Sequence, residues 1–214
     1  MVIKICIVGS HQSGSTRLYN LVRLLYEKSN KKVLSMWKYE NNEKDENEYD
    51  VIVCKAHNCN MNYLKIYNKV LLPVRNILDS AISAKKRFPN SDMKTICHLN
   101  IDLYNKFKER SDMIFVYEKY SLNYIKELCK RLGLELDDIE LIKIMKELEE
   151  MLNSKNIVKK DNFADEIYKK TLLSQSHNTS GGLSNKYVKE LSIEEIIDLL
   201  NDAKIGGFMK EYEF

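Results

Sequence analysis

The stretch from Ile3 to Arg17, IKICIVGSHQSGSTR, constrains this chain more than any other. Its first half, Ile3 to Val8, is a short apolar run rich in β-branched residues, the pattern of a strand buried on both faces. A loop of small residues, Gly9 to Thr16, follows. Beyond it Leu18, Leu21, Val22 and Leu25 recur at i, i+3, i+4 and i+7, the stripe of an amphipathic helix. Strand, glycine loop and helix in this order aim backbone N–H groups and a helix N-terminus at one point, an arrangement suited to an anion. The spacing nearly matches the phosphate-cradling loop G-x-x-x-x-G-K-[ST]: Gly9, Gly14 and Thr16 fit, and the lysine position holds Ser15. A kinase or ATPase of that class sets the lysine on its terminal phosphates. Its loss argues against ordinary ATP chemistry and leaves the cradle. The plainer role for Ser13, Ser15 and Thr16 is N-capping of the helix.

The rest of the chain repeats the alternation. Strands are expected at Lys32–Trp37, Asp50–Cys54, Lys69–Val74 and Met113–Val116, with Pro73 weakening the ladder near the end of its strand. Helical patterns cover Ile77–Arg87, a polar stretch from Asp92 to Glu109, and the apolar stripe Leu122 to Leu132 closed by Gly133. A short helix is expected at Asn62–Tyr67. Asp137 or Asp138 caps a further long helix. Ser192 and Glu195 form a capping box before Ile196, and Gly206-Gly207 ends the helix that follows. Asn41–Asp50, Asn153–Asn162 and Ser176–Asn185 read as polar connections. The expected fold is α/β: a three-layer sandwich, P-loop-NTPase-like, with a mostly parallel central sheet and helices on both faces. The chain of 214 residues is expected to form one domain. In such sheets the ligand sits beyond the C-terminal ends of the strands. That rule gathers the Gly9–Thr16 loop, Lys55, His57, Arg75 and Tyr117 on one edge.

Composition narrows the partners. A net charge of +3 lacks the basic footprint of a nucleic-acid binder. No apolar run approaches the length of a membrane span, and no signal-peptide layout opens the chain, so a cytoplasmic location is expected. Five scattered cysteines suit buried free thiols in a reducing compartment. Cys54, His57 and Cys59 lack a second ligand group, and no metal is expected.

Four segments, in order, resemble the sulfotransferases that use 3′-phosphoadenosine 5′-phosphosulfate. Ser13-Gly14-Ser15-Thr16 is similar to that family's SGTT loop, which cradles the 5′-phosphosulfate. Lys55-Ala56-His57 is similar to its K-T-H strand end, where the histidine is the catalytic base. Arg75-Asn76, Asp79 and Ser83 are similar to its RNPxDxxxS motif, whose arginine and serine hold the 3′-phosphate. Tyr117-Glu118, with a helix ending Arg131-Leu132-Gly133-Leu134, is similar to its YEDL…FLGL segment, where the tyrosine lies near the adenine. The resemblance covers roughly the first two-thirds of the chain. It implies sulfonate transfer to a hydroxyl or amine of a small or extended acceptor, with adenosine 3′,5′-bisphosphate as product. His57 is then the base and Lys55 a contact to the transferring oxygens. Gln12 to Thr16, Arg75, Ser83 and Tyr117 bind the cofactor.

One departure matters. The family's loop usually carries Lys or Arg two residues before the glycine, and here that residue is Gln12. Glutamine donates a hydrogen bond but brings no charge, and losing such a donor typically costs about 2.7–4 kcal/mol of transition-state stabilisation. Lys55, Arg17 and His11 are the candidates to supply the charge. Two further readings stay open: a cofactor-binding relative that has lost catalysis, and a divergent nucleoside or nucleotide kinase using the same loop.

Overall fold

The computed structural model describes residues 2–37, 46–57, 59–153, 165–173 and 184–214. Five strands form one all-parallel sheet: β1 (Ile3–Val8), β2 (Val33–Trp37), β3 (Val51–Ala56), β4 (Lys69–Val74) and β5 (Met113–Val116), in the order β2-β3-β1-β4-β5. The register sets Cys6 beside Cys54 and Val8 beside Ala56, so β1 and β3 end together. Alternate residues of β1 serve opposite faces. Ile5 and Ile7 pack with α1 (Ser15–Lys28), α4 (Leu122–Leu132) and α5 (Asp138–Leu152). Cys6 and Val8 pack on the other side with α2 (Ile77–Arg87), α3 (Met93–Lys108) and α9 (Ala203–Glu211). Both faces are thus covered, which is why the strands read as continuous apolar runs. All five cysteines are buried free thiols.

Local chemistry accounts for the boundaries. Asn76 caps α2 by accepting from Leu78 N and Asp79 N, Asp137 and Glu140 close a capping box on α5, and Gly133 takes the left-handed conformation (φ 73°) after α4. The expected capping box at Ser192 and Glu195 opens α8 (Ile193–Asn201). Pro73 sits beyond the β1–β4 pairing, which stops at Leu71, while pairing with β5 continues to Val74.

The short helix expected at Asn62–Tyr67 is a 3-10 helix, Met61–Ile66. Two expectations change. The stretch read as a polar helix has a buried face of Met93, Ile96, Cys97, Ile101, Tyr104 and Phe107; interleaved lysines and asparagines, with Asn100 buried among them, disguise its period. Gly206-Gly207 does not end a helix. Asp202 ends α8 and at once caps α9, accepting from Lys204 N and Ile205 N, and both glycines lie inside α9. A Cβ on Gly206 would run into Leu200 O, so close packing of α9 on the end of α8 overrides the helix penalty of glycine. Two further short helices are described, α6 (Glu166–Thr171) and α7 (Tyr187–Glu190). Most of the connections expected at Asn41–Asp50, Asn153–Asn162 and Ser176–Asn185 lies outside the described residues.

Candidate functional site

The glycine loop leaves β1 at the middle of the sheet, between β3 and β4. Gly9 N donates to Ala56 O (3.3 Å), and the Gly9 Cα faces Pro73 so closely that a Cβ would stand 3.0 Å from the ring. Ser13 Oγ donates to Ser10 O (2.8 Å), and Gln12 holds a left-handed backbone (φ 62°) whose carbonyl accepts from Ser80 Oγ (3.2 Å). Gly14, also left-handed (φ 83°), is the N-cap of α1 and supplies no side-chain cap. None of the loop's hydroxyls therefore caps α1 as a simple helix opening would require. The first-turn N–H groups stay oriented as a ready anion site.

The ends of β1 and β3 bring the loop to Lys55 and His57. Lys55 is 1% exposed; its Nζ donates to Thr16 Oγ1 and lies 5.1 Å from the centre of the Trp37 ring. Desolvation, and then the charge of Arg87, push its pKa down to about 7. His57 Nδ1 stands 2.6 Å from Gly9 O. A carbonyl only accepts, so Nδ1 carries the hydrogen and the neutral ring has its lone pair on Nε2. Trp37 meets the His57 ring edge-on at 5.1 Å, and the His11 ring lies tilted at 4.4 Å. The His11 pKa is lowered by desolvation and then by Arg87 and Lys55, so its charged form is disfavoured.

Gln12, Gly14, Ser15 and Thr16 from the loop, Lys55 from β3, His57 just after it and Tyr117 after β5 line one open cleft. Ser13, Arg75 and Ser83 are buried and do not line it. Tyr117 links the two zones. Its hydroxyl accepts from Arg17 Nη1 (3.0 Å), and the Arg75 guanidinium lies 4.8 Å from its ring centre. A Cβ on Gly14 would stand 2.5 Å from Tyr117 Cδ2. Arg75 Nη2 lies 3.9 Å from Asp79 Oδ2, and Asp79 Oδ1 accepts from Tyr187 N (3.0 Å). Ser83 Oγ donates to Asp79 O (2.9 Å), one turn back along α2. Glu118 Oε1 accepts from Asn76 N (2.9 Å) and so fixes where α2 begins.

His11, a candidate for the missing charge, does line the cleft, but its charged form is disfavoured there. Several site residues escaped the sequence. Trp37 ends β2, where the strand-end rule points to it. Arg87 ends α2 and lines the cleft. Arg17, a candidate for the missing charge, is instead ion-paired with Glu149. Lys186 precedes α7 and is buried beside Arg75 and Asp79; desolvation, then the Arg75 charge, push its pKa to about 8. Among the described residues no group of three or more His, Cys, Asp or Glu is placed to hold a metal. No described helix is long and apolar enough to cross a membrane.

No family model and no curated protein matches the sequence. Solved structures do match the fold. A mouse sulfotransferase, SULT7A1, complexed with PAP superposes with a TM-score of 0.66 at 14% identity, over 98% of this chain and 89% of that one. Retinol dehydratase in complex with retinol and PAP gives a TM-score of 0.64 at 13% identity, over 97% of this chain and 81% of that one. At such identities the likeness is one of fold: an α/β architecture with an all-parallel five-stranded sheet, shared with PAP-binding sulfotransferase structures.

Proposed function

We propose that this protein is a sulfotransferase that moves a sulfonate from 3′-phosphoadenosine 5′-phosphosulfate to an acceptor hydroxyl or amine, with His57 as general base. One observation carries the reading: Gly9 O holds His57 in the tautomer a base needs, on the same strand end that buries Lys55 against Thr16 of the loop. The PAP bound in both similar structures is consistent with that cofactor class.

The chemistry follows from these positions. The N–H groups opening α1, with the hydroxyls of Ser15 and Thr16, receive the 5′-phosphosulfate. The acceptor oxygen or nitrogen gives its proton to His57 Nε2 and attacks sulfur. The S–O bond to the bridging oxygen breaks, and its electron pair leaves on the 5′-phosphate. Lys55 stands beside the transferring oxygens. The 3′-phosphate falls to Arg75, with Lys186 added to the residues read from the sequence, and Tyr117 flanks the base. As in phosphoryl transfer, positioning and charge stabilisation carry most of the acceleration.

The test is a thermal shift with adenosine 3′,5′-bisphosphate beside ATP–magnesium, followed by formation of the bisphosphate from the cofactor with and without acceptors. Stabilisation by the bisphosphate alone is expected. His57→Ala is expected to keep that stabilisation and to slow turnover by roughly 10²–10⁴-fold. Stabilisation by ATP–magnesium alone would replace this reading with a kinase. Binding with no transfer to any acceptor would identify a relative that has lost catalysis, the reading that Gln12 favours.

A further inference from the structure

Transfer leaves the 5′-phosphate with one more negative charge than it had in the phosphosulfate, and the loop itself meets that charge only with neutral donors: backbone N–H groups, hydroxyls and the Gln12 amide. Three cationic side chains border the same cleft: Arg17, Lys55 and Arg87. Arg17 is engaged by Glu149 and by the Tyr117 hydroxyl, and its guanidinium stacks 4.3 Å from the centre of the Tyr120 ring. Lys55 is buried, bonded to Thr16, and near half-protonation at neutral pH. Arg87 differs from both. Its guanidinium lies 5.5 Å from the centre of the Phe88 ring and, among the described residues, has no carboxylate partner. An arginine is charged at every working pH and presents a planar fork that suits phosphate.

Resting on the sulfotransferase reading, we propose that Arg87 is a catalytic residue of this chain, contacting the 5′-phosphosulfate and carrying the fixed positive charge that stabilises the leaving phosphate. The fold supports the placement. Arg87 ends α2, a helix of 11 residues, so the two ends stand roughly 15 Å apart. Arg75 precedes the N-terminal end and Arg87 closes the C-terminal one. Ser80, between them, holds the loop through Gln12 O. One rigid helix thereby carries both arginines, one at each end, while it braces the loop that receives the phosphate. A cation is favourable in the last turn of any helix; the helix alone does not explain why this one lines the cleft beside Lys55 and His57.

The experiment separates the two ends of the ligand. Binding of adenosine 3′,5′-bisphosphate and of adenosine 3′-phosphate is titrated against the unmodified protein, Arg87→Ala, Arg87→Lys and the double variant Arg87→Ala/Gln12→Lys. Thermal melts without ligand confirm that each is folded. Arg87→Ala is expected to weaken the bisphosphate by about 10- to 100-fold, the scale of one hydrogen bond to a charged group, and adenosine 3′-phosphate by about twofold at most. Arg87→Lys, which keeps the charge, is expected to retain most of the affinity. Gln12→Lys, by placing a cation on the loop, is expected to recover about tenfold of the loss. Unchanged bisphosphate binding in Arg87→Ala, or an equal loss for both nucleotides, would overturn the assignment. Failure of the unmodified protein to bind either nucleotide would remove the sulfotransferase reading, and the role of Arg87 with it.

Discussion

Buried cations stand at two places near the C-terminal edge of the sheet, and their charge is met in opposite ways. At one, Arg75 and Lys186 share the buried carboxylate of Asp79, which is itself held by Tyr187 N. At the other, Lys55 has only the Thr16 hydroxyl and the face of Trp37, and among the described residues no carboxylate pairs with it. The first cluster has a buried counter-charge before any ligand arrives. The second is held by neutral groups beside open helix N–H donors, so a buried cation there loses hydration without gaining a counter-charge. The contrast separates a site assembled by the fold from one that an anion completes.

The largest effect is expected at the balanced end. Arg75→Ala takes the guanidinium from the buried Asp79 and leaves it only Lys186 and the Tyr187 N–H, a change expected to cost up to about 3–5 kcal/mol. For a chain of this size the melting temperature should fall by roughly 6–20 °C. An unchanged melt would show that the two ends do not differ as described.

At the unbalanced end the signs reverse. Lys55→Met removes a desolvated amine from the core and is expected to raise the melting temperature, while weakening adenosine 3′,5′-bisphosphate by about 10- to 100-fold. The pH dependence carries the same information. With a folded pKa near 7 against an ordinary value of 10.5, the unfolded chain holds more protons between those values. Through this group, therefore, stability of the ligand-free protein rises with pH across that window. A bound anion raises the pKa, so binding takes up a proton, and affinity should fall as pH rises above about 7, by tenfold per unit at most. Titration at several pH values checks this. A slope that persists in Lys55→Met would assign it to another group.

The smallest effect tests the hinge between the clusters. Gly14→Ala forces a left-handed alanine, worth about 1–2 kcal/mol, and sets a methyl against Tyr117, whose ring also faces Arg75. A fall of at least roughly 2–8 °C in melting temperature is expected. A fall confined to that range, with bisphosphate affinity unchanged, would show that Tyr117 can move aside without disturbing either cluster.

Much of the scaffold was legible because its signals are local. Ile3–Val8 announces a doubly buried strand, Asp137 or Asp138 and the pair Ser192 and Glu195 mark helix starts, and strand-end residues must collect on one edge of a parallel sheet. The α3 face and the Gly206-Gly207 pair were misread because their meaning is not local. Burial of Asn100 and the approach of Leu200 O to Gly206 depend on which helices pack together.

The sequence by itself determined that a glycine loop, Lys55, His57, Arg75 and Tyr117 would meet at one edge, since connectivity and strand direction suffice for that. Only the tertiary structure decided what each can do there. It put Gly9 O on His57 Nδ1, tied Arg17 to Glu149, left Arg87 in the cleft and lowered the Lys55 pKa toward neutrality. Tautomer, charge balance and desolvation are set by atoms distant in the chain, and no spacing of residues along it encodes them.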